Sequence, residues 1–216
     1  MSLLEVMEQK KREKEKMNQM VQPELENGRS SLLHEMSEED VSVRFSYMVA
    51  VAMVACVDAQ PSKEKVQWLQ NLCVSMDLEV DQLSRILQIA SDTENGDETV
   101  NSIIEALAEK DHQILLALDM YQAGWIDGKV GEKAQQMIDL FAEFLEVDSA
   151  IQELLKAMSD ANLLGDENIA TEAVELAKKL KINICMDDIL RGPRTHFLGL
   201  CCYQGIGMPQ DDEKAV

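Results

Sequence analysis

The chain has 216 residues, 46% of them hydrophobic but only 4% aromatic, with 13 Met, 10 Gly and 4 Pro. Such a composition favours packed helices over a sheet rich in β-branched and aromatic side chains. A net charge of -20 repels nucleic acid phosphates and anionic membrane surfaces, so cations and basic proteins are the expected ligands.

The first 22 residues contain no Gly or Pro and set Leu3, Leu4 and Met7, then Met17, Met20 and Val21, at helical spacing around a charged middle, EQKKREKEK. A helical arm is expected, with Lys10, Lys11, Arg12 and Lys14 as candidate partner-binding residues. The alternative is a solvated helix face. Pro23 to Asp40 has the Pro, Asn-Gly and Ser punctuation of a linker. The expected division is therefore 1–36 for arm and linker, 37–180 for one all-helical domain and 181–216 for an irregular C-terminal tail.

Within the domain the apolar periodicity predicts helices near 38–57, 62–76, 79–91, 98–109, 111–124, 131–145, 149–158 and 167–180. Ser62 and Asp148 are the expected N-caps of the second and seventh. The apolar run from Phe45 to Val57 is shorter than the roughly 18 to 20 residues needed to cross a bilayer, so it reads as a buried central helix and no membrane insertion is expected. No signal-peptide pattern is read at the start, and five Cys form an odd, scattered set, which points to a reducing, cytoplasmic setting.

An internal repeat lies inside the domain. When Asp58 is set over Asp127, an offset of 69 residues, Val57 meets Ile126, Leu69 meets Ile138, Leu72 meets Phe141, Met76 meets Leu145 and Leu78 meets Val147. After a one-residue slip Leu83 meets Ile151 and Leu87 meets Leu155, and a small residue, Ala55 or Gly124, precedes each turn. Each unit is an apolar helix, a short acidic turn, an amphipathic helix, a tight corner and a third helix. A single unit leaves a helix face unburied, so two units packed with pseudo-twofold symmetry are expected.

The segment EALAEKDHQILLALDMYQAGWIDGKVGEKAQQMIDLFAEFLEVD, and the repeat around it over roughly 40 to 160, resembles the tellurite-resistance TerB-like family. The resemblance implies an all-helical fold, acidic clusters that bind divalent metal, and a role in stress-response or membrane-associated complexes rather than catalysis. It maps the family's turn Asp onto Asp127 and Asp58, its Gly onto Gly128, and the acid of the following helix onto Glu132 and Glu64. The first turn departs from the pattern, with Ala59 where Gly is usual and Pro61 inside the turn.

Hard cations such as Ca²⁺ or Mg²⁺ need several oxygens converging on a short loop. Asp127, the carbonyls around Gly128 and Glu132 offer a partial set; the competing reading is a plain corner, with Gly128 at positive φ and Glu132 facing a helix N-terminus. EF-hand spacing fails at both Asp92 and Asp160, and Cys185, His196, Cys201 and Cys202 lack the paired spacing of structural zinc. No nucleophile elbow, metalloprotease helix, phosphate loop or dinucleotide fingerprint is present, and His34, His112 and His196 stand far apart in sequence, so no enzyme is expected. Trp125, beside the turn, is read as core packing or as an aromatic anchor for a protein partner. Two function classes follow: a non-enzymatic acidic module binding divalent cations or proteins, and an adaptor whose arm and tail make the contacts. A weaker third is a nucleic-acid mimic that sequesters a basic protein.

Overall fold

Two apolar helices form the centre of the molecule. The computed structural model describes residues 34–57, 61–92, 96–107 and 112–191, and among them every regular element is helical. We number the helices α1 (Val41–Cys56), α2 (Lys63–Ser75), α3 (Gln82–Ala90), α4 (Gly96–Ala106), α5 (Gln113–Trp125), α6 (Glu132–Phe144), α7 (Ser149–Leu164), α8 (Glu167–Lys179) and α9 (Met186–Arg191). A 3-10 turn, Glu35–Glu38, precedes α1.

α1 and α5 are apolar around most of their circumference because each is packed on several sides. Tyr47 through Ala55 are all buried, as are Gln113 through Tyr121. α1 packs against α5, α3, α4, α6 and α2, while α5 packs against α6, α7 and α2. No helix of the described residues is long and apolar enough to cross a membrane.

Local chemistry sets the helix ends. Ser62 Oγ accepts the Lys65 N–H and starts α2, and Asp148 accepts the Ala150 N–H and starts α7. α2 and α6 are each 13 residues long and end in the same way. Asp77 and Glu146, each two residues past its helix, adopt left-handed backbone at φ 54 and 56. The following N–H then closes back on the helix, Leu78 to the Cys73 carbonyl and Val147 to the Ala142 carbonyl, both at 2.9 Å.

The structure departs from the sequence expectation in three places. α7 runs to Leu164, beyond the expected end near 158, and stops where Gly165 takes φ 64 and returns its N–H to the Ala161 carbonyl. The stretch expected to be an irregular tail carries α9, with Ile182, Ile184 and Ile189 buried and Asn162 Nδ2 donating to the Ile189 carbonyl. At the other end, His34 and Met36 fall in the stretch expected to be linker, yet both are buried, and the His34 N–H donates to the Ser75 carbonyl.

Candidate functional site

The Asp-Gly turn between α5 and α6 is shaped by two glycines. Gly124, in the last turn of α5, sits against Val130, where an added Cβ would come within 3.3 Å of Cγ1. Gly128 takes φ 87, which side chains rarely adopt, and its N–H donates to the Trp125 carbonyl at 2.7 Å. Extended backbone at Gly131 then lets Glu132 open α6.

Asp127 does not face an empty loop. Its Oδ1 accepts from Ser62 Oγ at 2.9 Å, and its Oδ2 lies 2.8 Å from Lys65 Nζ. Ser62 is the N-cap of α2 and Lys65 lies in its first turn, so the turn of one half grips the start of a helix in the other. Lys65 buries its aliphatic stem and brings only the ammonium to the carboxylate, the usual compromise for a long cationic side chain. The hydrogen bond from Lys65 holds the Asp127 carboxyl below the ordinary carboxylate range, helped by Ser62 and opposed by some desolvation.

The other predicted site residues are scattered. Glu132 and Glu64 are exposed in the first turns of α6 and α2, where a carboxylate complements the helix dipole. Nothing joins either to Asp127. Glu132 opens its helix while Glu64 stands second, so the two do not hold equivalent places. Asp58, Lys10, Lys11, Arg12 and Lys14 lie outside the described residues. Trp125 is half-buried, and its Nε1–H donates to Asp160 Oδ1 on α7, which ties the end of α5 inward. Among the described residues no group of three or more His, Cys, Asp or Glu side chains is placed to hold a metal ion. At Asp127 both carboxylate oxygens are already engaged, one by a hydroxyl and one by an ammonium. A crevice between α5 and α6, lined by Met120, Ile138 and Phe141 among others, is too narrow to admit a water molecule.

A second polar cluster escaped the sequence reading. Asp119, fully buried on α5, accepts at Oδ2 from Tyr47 of α1 and, at 3.1 Å, from His34 Nε2. The Met36 N–H donates to His34 Nδ1, so that nitrogen carries no proton and Nε2–H is the donor to Asp119. The His34 and Tyr47 rings meet edge-on at 5.7 Å. The available sequence signal was a lone Asp inside ILLALDMY, since a carboxylate in a helix buried on all sides requires a partner. Close by, Arg44 Nη1 donates to the carbonyls of Met76 and Asp77, placing a cation at the C-terminus of α2.

Compared with protein-family models, with curated proteins and with solved structures, the chain finds no match.

Proposed function

We propose that this chain is a non-enzymatic, acidic helical module that works by binding basic protein partners, with the Asp127 turn serving as an ionic latch between two repeats. The observation that carries this reading is the engagement of both Asp127 oxygens by Ser62 and Lys65. A turn already neutralised by an internal ammonium holds the fold together, and a divalent cation there would have to compete with Lys65. The net charge of -20 remains for use on the outer surface, where it selects basic partners and speeds their arrival.

The same reading makes the two halves pseudo-twofold repeats, α1 to α3 and α5 to α7. Its support is the equal length of α2 and α6, the left-handed Asp77 and Glu146 at the 69-residue offset, and reciprocal packing, α1 on α6 and α5 on α2. The resemblance to TerB-like proteins would put such a module in a stress-response assembly. Free thiols at Cys56 and Cys73, with no disulfide between them, suit a cytoplasmic setting.

Thermal unfolding of chelator-stripped protein with Ca²⁺, Mg²⁺, Mn²⁺ or Zn²⁺, beside titration of a 20-residue Leu/Lys amphipathic peptide at low and high salt, tests the proposal. No cation-specific rise in Tm, together with salt-sensitive peptide binding, is expected. A saturable rise with one cation that disappears in Asp127→Asn would replace the latch with a metal turn.

A further inference from the structure

α6 carries an exposed apolar pair at the edge of its buried face. Ala134, Ile138, Phe141 and Ala142 are buried against the core, whereas Leu140 and Phe144, one turn apart, are 38% and 51% exposed. Residues four apart on a helix are neighbours, so the two make one apolar spot. The helix itself does not demand it: α2, of the same length and with the same type of end, has Asn71 and Ser75 at the corresponding places. Exposed carboxylates of Asp139, Glu143, Glu146 and Asp148 flank the spot. An apolar centre with an acidic rim fits an amphipathic helix that carries basic residues beside its apolar ones.

We propose that the occupant is this chain's own N-terminal arm, residues 3–21, docked on Leu140 and Phe144 as an intramolecular cap over the partner-binding face. Leu3, Met7, Lys10, Lys14, Met17 and Val21 recur at spacings of four and three, the pattern of one helical face. Five of the seven residues from Lys10 to Lys16 are basic, in a chain where acidic residues outnumber basic ones 40 to 20. Residues 22–33 can span roughly 40 Å when extended, about the diameter of a domain of about 160 residues with a radius of gyration near 15 Å, and the arm's own length adds to that reach. Tethering supplies an effective concentration on the order of millimolar, which favours docking in cis over a second copy. A basic partner helix then binds by displacing the arm. The displacement step rests on the proposed function, whereas the docking of the arm rests on the α6 face and not on the Asp127 turn.

Zero-length carbodiimide cross-linking of the full chain, followed by isolation of the monomer and peptide mass spectrometry, tests it. Links from Lys10, Lys11 or Lys14 to Asp139 or Glu143 are expected within the monomer. In the Leu140→Ser, Phe144→Ser variant their yield should fall about tenfold, as two apolar contacts are lost. Both positions are exposed, so the variant should keep its helical circular dichroism and Tm. Links of undiminished yield in that variant, links found solely in covalent dimers, or no such links at all would each overturn the proposal.

Discussion

Lys65 Nζ lies 2.8 Å from Asp127 Oδ2, across 62 positions of sequence, and joins the first turn of α2 to the turn that ends α5. The carboxylate is half exposed, so the pair is screened and its direct contribution is about 1 kcal/mol or less. Losing the carboxylate costs more than the pair itself, because the largely buried Lys65 keeps its charge without a counter-charge, although an Asn oxygen can still accept from Ser62 Oγ. Asp127→Asn should therefore lower stability by about 1–2 kcal/mol in urea unfolding at pH 7. Because the folded-state pKa of Asp127 is depressed, its stabilisation is present above the ordinary value of 3.8 and is lost as pH falls below it. The difference between wild type and Asp127→Asn should be flat from neutral pH to about 5 and shrink at lower pH. A difference that grows on acidification would contradict the latch.

That contact also marks the limit of what could be read from the sequence. Apolar spacing of 3.6 residues placed the helices, and Ser62 and Asp148 announced two starts, because these signals are local. The corners after α2 and α6 were legible for the same reason, each forced by a short, apolar-flanked break. The pairing of Asp127 with Lys65 was not, since nothing local distinguishes Lys65 from its solvated neighbour Lys63. α9 was hidden by its tail composition; it is held by buried isoleucines packed on α7 and α8 rather than by propensity. A reading of Asp127 and Glu132 as one acidic set rests on their short spacing, whereas the contacts that Asp127 makes run to Ser62 and Lys65 at the start of α2.

The buried cluster around Asp119 should be costly to break. Asp119→Ala leaves the Tyr47 hydroxyl and His34 Nε2–H without their shared acceptor in a site closed to water. A loss of about 2–4 kcal/mol is expected from two buried donors losing their acceptor, and about 1–2 kcal/mol for Tyr47→Phe, which removes one donor and keeps the ring. In a double-mutant cycle the two effects should fall well short of additive. Additive losses would mean that the hydroxyl and carboxylate act independently.

Gly124 and Gly128 should fail for different reasons when each is changed to Ala. Around Gly128 nothing lies within 4 Å of an added Cβ, so the cost of about 1–2 kcal/mol comes from φ 87 alone. At Gly124 the backbone is helical and the added Cβ meets Val130 instead. Val130→Ala should thus recover most of the stability lost in Gly124→Ala and none of that lost in Gly128→Ala. Equal rescue of both would show that the turn relaxes as a unit.

Cys56 and Cys73 should be inert in the folded protein. Burial pushes the Cys56 thiol up to about 11, against a smaller opposing effect of a Ser91 hydrogen bond, and pushes Cys73 up to about 12. The thiolate is the reactive form, so at pH 8 both should resist Ellman's reagent until the chain is unfolded. The folded state holds these protons more tightly than the unfolded state, whose thiols ionise near 9.0. The linked stability is complete below that pH and declines as pH rises from 9 toward 12. Cys73→Ala removes the linkage at one site, so its unfolding midpoint should fall less steeply than that of wild type across this range; parallel declines would assign the loss to other groups.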